Sequence, residues 1–274
     1  MEEIFLAKVV QKVNGLEVRY LEAKKNILRA YMYPLSFIIL GVILGIISGI
    51  NYETFSSSET IKVQNVISTV GTVGWVLCGS GFISLVVIGI IMKLKYPDFE
   101  SLKYGVQGEK KALKILSRLS DDFTVIPDLN VQSESGSSQL DFLVIHPKGV
   151  WIVENKNMNG TIVGDEMANQ WIQKKVGEGG TQYEKAFYSP MKQVKTHVFR
   201  MKQYLQEHKI GNLPWIQGVV FFSNPKAIIN VESTEKHPIF HYEDELIEYL
   251  INQSETNRNN SVDVQRIVEL CSSL

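Results

Sequence analysis

The 274-residue sequence predicts a mixed α/β domain that follows two transmembrane helices. Two observations lead to this fold class. Residues 31–50 contain no Asp, Glu, Lys, Arg or His, and a second uncharged apolar segment covers residues 70–92. From Tyr104 onward, segments with helical periodicity are interspersed with short apolar segments that are typical of strands.

The composition excludes several classes of protein. With 45% hydrophobic and 21% charged residues, the chain is too apolar to be disordered. Two cysteines, Cys78 and Cys271, with no Cys/His pairs at ligand spacing, exclude a disulfide framework and a zinc module. The net charge of −1 combines a basic part, +3 over residues 1–96, with an acidic part, −4 over residues 97–274.

The two apolar segments have the length and composition of membrane spans. Twenty residues of helix are about 30 Å long, which matches the hydrocarbon core of a bilayer. A signal peptide is a poor alternative, because about thirty residues of mixed charge precede the first segment. Two buried helices of a soluble core are the other alternative, but soluble helices rarely extend for twenty residues without a charge.

The basic residues predict the orientation of the two spans. Residues 1–30 contain six Lys and Arg, whereas the loop between the spans contains Lys62 alone. By the positive-inside rule, both termini are cytoplasmic and the protein is a two-span protein of the cell membrane. The predicted organisation is a cytoplasmic segment (1–30), a first span (31–50), an external loop (51–69), a second span (70–92), a short linker (93–100), a cytosolic domain (101–251), and a polar linker with a C-terminal helix (252–274).

The first span carries a stripe of small residues. Gly41, Gly45 and Gly49 recur every four residues, so they lie on one helix face where another helix can approach closely. Either the second span packs on this face, or a second copy of the chain does and forms a homo-oligomer. A general abundance of glycine in membrane helices is the simpler alternative.

The most informative carboxylates lie in two predicted strands. Gln139–Ile145 and Val150–Lys156 are joined by a four-residue turn, so we expect the two strands to be adjacent. Strand alternation places Asp141 on one face of the first strand, and it places Glu154 and Lys156 together on one face of the second. Both strands are otherwise apolar on both faces, as expected for central strands.

The pairing of Asp141 with Glu154 predicts a cation between them. Two carboxylates inside a sheet repel each other and lose hydration, so they persist only with a compensating cation or proton. A divalent metal is the natural compensation, and hard oxygen ligands without a thiolate favour Mg²⁺ or Mn²⁺ over zinc. An ordinary ion pair between the strand ends is the simpler alternative.

Two predicted helices add polar residues beside these strands. Glu109 lies on the apolar face of helix Gly108–Leu119, although the helix dipole also favours an acid in a first turn. In helix Ser189–His208, a polar stripe runs beside the core stripe, and a solvated face would give the same pattern. The members of this stripe are Gln193, His197, Arg200 and Tyr204.

These residues occur in an order that resembles a known family. The elements are Gly108-Glu109, Gln139-Leu140-Asp141, Gly149-Val150-Trp151-Ile152-Val153-Glu154-Asn155-Lys156, Gly160, Trp171 and Ser189-Pro190-x-x-Gln193. Over Tyr104 to Asn224 the chain resembles the NERD (nuclease-related) domain, which is similar in turn to the PD-(D/E)XK phosphodiesterases. Ser189 stands where the family often has asparagine, and His197 stands where related nucleases often have tyrosine.

The resemblance implies a restriction-endonuclease-like mixed sheet flanked by helices, and metal-dependent hydrolysis of a nucleic-acid phosphodiester. Matched by position, Asp141 and Glu154 ligate Mg²⁺ or Mn²⁺, with Glu109 as a further ligand, direct or through water. Lys156 holds the attacking water or neutralises the transition state. Gln193 positions Lys156 or the phosphate.

The polymer that the resemblance implies is DNA or RNA, and binding it requires basic residues. The acidic charge of residues 97–274 argues against general nucleic-acid binding, but residues 185–209 carry six Lys and Arg against Glu207 alone. The members of this basic stretch that we expect to contact nucleic acid are Lys192, Lys195, His197 and Arg200. Upstream, Trp171 and Tyr183 could stack on bases, although a buried core residue is the simpler interpretation of Trp171.

Two functions of different classes follow from the sequence. The first is a membrane-tethered nuclease that acts at the inner face of the membrane. The second is a non-catalytic interaction or sensing module that keeps the fold without turnover. The acids and Lys156 favour the nuclease, because a module without turnover has no use for a lysine beside two buried carboxylates.

Overall fold

The computed structural model describes residues 6–10, 14–49, 57–177, 180–210, 215–231, 237–256 and 263–272. They belong to two compact units, Val18–Leu102 and Met1–Glu17 together with Lys103–Leu274. The elements are β1 Lys8–Val9, α1 Gly15–Ser48, α2 Ser57–Lys95, α3 Phe99–Leu116, β2 Thr124–Ser133, β3 Gly136–His146, β4 Gly149–Asn155, β5 Gly160–Gly164, β6 Gln170–Val176, β7 Gln182–Tyr188, α4 Pro190–Glu207, β8 Ile216–Phe221, β9 Ala227–Val231, β10 Ile239–Phe240, α5 Glu243–Thr256 and α6 Val264–Ser272.

The unit Val18–Leu102 consists mainly of two long apolar helices that could cross a membrane. The most apolar windows of α1 and α2 have mean hydropathies of 2.2 and 2.3, and only 11% and 6% of those windows is buried. A core helix of a soluble protein hides its apolar side chains, whereas these helices expose theirs. Exposed examples are Phe37, Ile39, Trp75, Phe82 and Ile90. Of the predicted external loop 51–69, residues 51–56 lie outside the described residues.

The two apolar helices approach each other closely at Gly41. A Cβ at this position would lie 2.5 Å from the carbonyl oxygen of Gly74 and 2.6 Å from Cys78 Sγ, so only glycine fits there. A Cβ at Gly45 would meet nothing within 4 Å, and one at Gly49 would meet only the backbone of its own helix. The predicted glycine stripe therefore packs on the second helix at its first member.

The other unit is a mixed α/β domain with two sheets. The larger sheet has the order β1-β2-β3-β4-β8-β10, in which β2, β3 and β4 are antiparallel and the remaining pairs are parallel. The smaller sheet has the order β7-β6-β5-β9, and only its β5–β9 pair is parallel.

The two faces of the larger sheet have separate apolar cores. On one face, Ile152 of β4 belongs to a cluster with Val194 and Met201 of α4, and Trp171 of the smaller sheet joins it. On the other face, Trp151 belongs to a cluster that contains apolar residues of α3 and α5. Helices thus flank the sheet on both faces, and the predicted fold class, a mixed α/β domain preceded by two long apolar helices, is confirmed.

Some element boundaries differ from the sequence-based expectation. The helix expected at Gly108–Leu119 begins at Phe99, within the predicted linker 93–100, because packing on other elements overrides the weak helix propensity of Gly105 and Gly108. The strand expected at Val150–Lys156 ends at Asn155. Strands β1, β7, β9 and β10 were not expected. The predicted polar stretch 252–261 continues α5 to Thr256, and its remainder lies outside the described residues.

Candidate functional site

The candidate site lies where two central strands end. The antiparallel register of β3 and β4 pairs Phe142 with Val153, so Asp141 and Glu154 occupy the next positions along their strands. The Glu154 side chain is 1% exposed, and Asp141 is partly buried. Asp141 Oδ2 accepts a hydrogen bond of 2.8 Å from the backbone N–H of Asn155. The structure thus brings the two predicted carboxylates together.

Lys156 follows β4 and reaches back to Glu154. Its backbone N–H donates to the carbonyl oxygen of Phe221, 2.8 Å away, which continues the pairing with β8 after the strand has ended. Its Nζ lies 2.5 Å from Glu154 Oε1 and donates to Gln193 Oε1 at 3.1 Å. One ammonium group therefore joins a carboxylate of the sheet to an amide of helix α4.

Helix α4 begins at a residue that places Gln193 over the site. Ser189 is the N-cap, its side chain accepts from the backbone N–H of Lys192 at 3.4 Å, and Pro190 occupies the first helical turn. Serine caps and first-turn prolines both fix where a helix starts. The first turn of α4 consequently presents Gln193 to Lys156.

His197 lies one helical turn after Gln193 and is almost fully buried, with 7% of its surface exposed. Its Nε2 is 3.3 Å from Glu154 Oε2 without hydrogen-bond geometry, and among the described residues neither ring nitrogen has a hydrogen-bond partner. Glu154 Oε2 also has none within the described structure. Buried polar atoms without partners are rare in folded proteins, and here they converge on one carboxylate.

The two carboxylates differ in how readily they ionise. Loss of hydration, reinforced by the charge of Glu154, raises the pKa of Asp141 well above its usual value. Burial also raises the pKa of Glu154, but the neighbouring Lys156 and His197 outweigh it and hold that pKa below its usual value. Burial lowers the pKa of Lys156, and the carboxylates of Glu154 and Asp141 reverse the effect, so its pKa is raised. The cluster thus holds two carboxylates that share one ammonium group, and the compensation that Asp141 receives from Lys156 does not outweigh its loss of hydration.

Glu109 lies at the edge of this cluster and is engaged by another residue. Its Oε2 accepts a hydrogen bond from Nδ2 of Asn14. Loss of hydration and the negative charges of Asp128 and Glu154 raise the pKa of Glu109, although the Asn14 contact lowers it. A Cβ at Gly108 would overlap the Asn157 side chain, so this glycine lets α3 approach the segment that follows Asn155.

The four residues expected to contact nucleic acid differ in the partners that they have in the structure. Lys195 Nζ is 2.7 Å from Glu166 Oε1, and Arg200 donates to the backbone carbonyl of Ser137 and to Ser138 Oγ. His197 faces Glu154 as described above, and Lys192 is partly buried in the first turn of α4. Two of the four expected contacts therefore have partners inside the domain. Trp171 is fully buried in the core and cannot stack on a base.

Asn14 and Asp128 are site neighbours that the sequence did not reveal. Asn14 Oδ1 caps α1 by accepting from the backbone N–H of Glu17 at 2.8 Å, while its amide donates to Glu109. Asp128 accepts from the backbone N–H of Gly15 and from the Gln139 side chain. An Asn-x-x-Glu sequence before an apolar helix is a capping signal, so the cap was detectable, but its contact with Glu109 was not.

The donor set fits a divalent cation at Asp141 and Glu154. Both offer carboxylate oxygens, Glu154 Oε2 lacks a hydrogen-bond partner among the described residues, and a nearby dication would stabilise the ionised form of Asp141. In the part of the chain that the structure describes, no three His, Cys, Asp or Glu side chains form a metal-binding group. Protein oxygens from these two residues and water would complete such a site, which is the usual arrangement for Mg²⁺.

Comparisons with known proteins identify the family to which this domain belongs. Residues 104–223 match the family described as nuclease-related domain (NERD). The chain is 30% identical over 162 residues to an uncharacterized protein of Bacillus anthracis, an alignment that covers 57% of this chain and 69% of that protein. No solved structure matches the chain. All the site residues except Asn14 lie inside the matched range, and the chain belongs to the nuclease-related domain family.

Proposed function

We propose that the protein is a membrane-anchored, divalent-metal-dependent nuclease that hydrolyses phosphodiester bonds of DNA or RNA at the cytoplasmic face of the membrane. One observation carries the proposal: Asp141, Glu154 and Lys156 converge, with Gln193 bonded to the lysine, inside a nuclease-related domain. An ion pair alone would require one acid and one base, whereas here Asp141 and Glu154 share the single charge of Lys156.

Asp141 and Glu154 would hold Mg²⁺ or Mn²⁺, with Glu109 contributing through water. When bound, the metal supplies Lewis acidity that lowers the pKa of a bound water and stabilises charge on the phosphoryl oxygens. The raised pKa of Asp141 supports the assignment, because a carboxylate whose loss of hydration is only partly compensated is stabilised by a further cation.

Lys156 would act on the phosphate and on the attacking water. The side chain of Lys156 stays protonated because Glu154 and Asp141 raise its pKa. It would therefore supply positive charge as the pentacovalent phosphorane forms. The side-chain oxygen of Gln193 accepts a hydrogen bond from the Lys156 ammonium and thereby fixes the direction of the remaining N–H groups. His197 shields Glu154 from water and limits the positions that its carboxylate can adopt.

Substrate contacts would come from the basic side of α4. Lys192 extends from its first turn beside Gln193 and would contact a phosphate. Lys195 and Arg200 would reach a phosphate only by giving up their present contacts with Glu166 and with Ser137 and Ser138. His197 would influence the bound strand only through its contact with Glu154. Phosphate contacts of this kind position the polymer without reading its sequence.

The long apolar helices would anchor the domain. Their lengths and exposed apolar side chains suit two spans. By the positive-inside rule, the basic residues of segment 1–30 would keep both termini in the cytoplasm. The glycine stripe would also receive a second copy, because a Cβ on Gly45 meets nothing within 4 Å and one on Gly49 meets only its own helix.

A second candidate function is a non-catalytic interaction or sensing module. The observation that favours it is the hydrogen bond from Asn14 to Glu109. This bond gives the third acid of the site a partner that does not depend on a metal. The test is incubation of the full chain, in phosphatidylcholine nanodiscs, with labelled single- and double-stranded DNA and RNA in Mg²⁺, Mn²⁺ or EDTA. The nuclease predicts metal-dependent cleavage of at least one substrate, whereas the module predicts no cleavage above that of a Glu154→Gln preparation.

A further inference from the structure

The hairpin of β6 and β7 has two faces of different character. Directly opposite residues of an antiparallel pair share a face, and successive residues alternate between faces. On the outer face, Lys174 lies opposite Glu184, and the two form an ion pair of 3.0 Å. On the inner face, Trp171 lies opposite Phe187, and this end of the inner face is packed against the core.

Beyond these aromatic residues the inner face becomes basic. Gln173 lies opposite Lys185, and the next inner-face pair is Lys175 opposite Tyr183. The two lysines are thus diagonal neighbours, a distance over which long side chains interact. Tyr183 is 49% exposed beside them, so one short stretch of the face presents two ammonium groups and an accessible ring.

No acid compensates this pair of charges within the described residues. Neither Lys175 nor Lys185 makes an ion pair or a side-chain hydrogen bond there, in contrast to Lys174 on the opposite face. Burial lowers the pKa of Lys175, and the ammonium of Lys185 on the neighbouring strand lowers it further. An anion that binds between two such cations relieves their repulsion, so the pair favours anion binding.

The basic stretch adjoins the segment that carries Lys156. Gln173 Nε2 donates to the carbonyl oxygen of Asn159 at 2.7 Å, and Lys175 Cγ is 3.2 Å from the position that a Cβ on Gly160 would take. Residues 156–159 connect β4 to β5, which begins at Gly160. A polymer on this face would therefore continue toward the candidate site, whereas one on the outer face of the hairpin would not.

We propose that the inner face of this hairpin binds a single-stranded stretch of nucleic acid, with Lys175 and Lys185 on backbone phosphates and Tyr183 stacked on an unpaired base. The inference rests on the proposed function, since it names where that site holds its substrate. Two cations beside an exposed ring suit a strand whose phosphates and bases are both accessible. The engagement of Lys195 and Arg200 inside the domain leaves this face as the more available basic surface.

The test measures fluorescence anisotropy of a labelled single strand of about 12 nucleotides, a typical site size, with the full chain in phosphatidylcholine nanodiscs and EDTA. Lys175→Ala and Lys185→Ala should each weaken binding roughly three- to tenfold. Each should also reduce the slope of log affinity against log salt by about 0.7, the value for one phosphate contact on a single strand. Lys174→Ala removes a charge from the outer face of the same strand and is the matched control, which should leave both quantities unchanged.

The tyrosine has a matched control as well. Tyr183→Ala should weaken single-strand binding roughly tenfold, the scale of one stacked base, and weaken duplex binding much less. Tyr188→Ala alters an exposed ring on the outer face and should change neither. The proposal is overturned if the inner-face variants bind the strand as the outer-face controls do. It is also overturned if they lose affinity only for vesicles containing phosphatidylserine.

Cleavage assays on the same preparations separate this inference from the proposed function. If the wild type cleaves and Lys175→Ala and Lys185→Ala have an unchanged KM, the proposed nuclease function stands and the proposed binding face is rejected. If binding depends on the inner face but no metal supports cleavage, the proposed binding face stands and the proposed nuclease function is rejected.

Discussion

Asp141 and Glu154 are chemically alike, yet their surroundings give them opposite properties. Glu154 has Lys156 and His197 beside it, and its pKa is lowered although its side chain is almost completely buried. Asp141 receives one backbone hydrogen bond from Asn155, and its pKa is raised. A site that keeps an under-compensated acid sacrifices stability of the metal-free protein, which is common at functional sites.

This asymmetry predicts that Asp141→Asn stabilises the metal-free protein. Because folding raises the pKa of Asp141, the folded state loses stability as the pH rises from the usual Asp pKa through the raised one. Asparagine keeps an acceptor for the Asn155 N–H and carries no charge. In EDTA the variant should unfold roughly 2–4 °C higher than the wild type at pH 8, with a smaller difference at pH 5. A variant that unfolds at lower temperature at both pH values would contradict this account of Asp141.

Lys156→Ala is expected to separate chemistry from metal binding. The change removes the ammonium that would neutralise the transition state, so hydrolysis should fall by roughly a hundredfold or more. Mn²⁺ affinity, measured by titration calorimetry, should change little, because lysine is not a ligand. Gln193→Ala should lower the rate less, since the lysine remains. Full activity of Lys156→Ala would show that the assigned roles are wrong.

Asn14 is expected to act through Glu109. Asn14→Ser keeps a helix cap and removes the amide that donates to the carboxylate. The amide lowers the pKa of Glu109 and thereby favours its ionised form, so its loss should weaken Mn²⁺ binding roughly three- to tenfold when Glu109 is present and have no further effect in a Glu109→Gln background. Equal losses in both backgrounds would assign Asn14 a structural role only. Urea unfolding of the wild type, the two single variants and the double variant reports the contact independently of metal.

At the scale of elements, sequence periodicity found the strands that carry the site. Strands β3 and β4 and helix α4 have strong apolar periods and clear turn or cap residues, so Asp141, Glu154, Lys156 and Gln193 could be placed before the structure was known. Strand β7 was not expected, because it is an exposed edge strand without alternating apolar residues. The contact of Asn14 with Glu109 joins positions far apart in the chain, which no local pattern encodes.

The apolar helices give a prediction at the same scale. Gly41→Leu should destabilise the packing of α1 on α2, because its side chain would overlap Gly74 and Cys78, whereas Gly45→Leu should be tolerated in that packing. Cross-linking between engineered cysteines on the two helices should therefore fall for Gly41→Leu alone. Unchanged cross-linking in Gly41→Leu would contradict the close approach. If a second copy binds the glycine face, self-association should fall for Gly45→Leu.

At the scale of the whole molecule, the α/β unit is assembled from two parts of the chain. Strand β1 pairs in parallel with β2, and the residues up to Glu17 belong to the same compact unit as those from Lys103 onward. The sequence suggested a cytosolic domain that begins near residue 101, because the intervening apolar helices separate its two parts by more than eighty positions. Experiments on the site therefore need the full chain, which retains Asn14.

The central claim is that Asp141, Glu154 and Lys156 form one metal-dependent hydrolytic site. The most direct measurement is Mn²⁺ binding and nucleic-acid cleavage on the same nanodisc preparations of the wild type and Glu154→Gln. The account predicts that the wild type binds the ion and cleaves only when a divalent metal is present, and that the variant loses both properties while remaining folded. Cleavage at equal rates by both proteins, or a wild type that neither binds Mn²⁺ nor cleaves any strand, would contradict it.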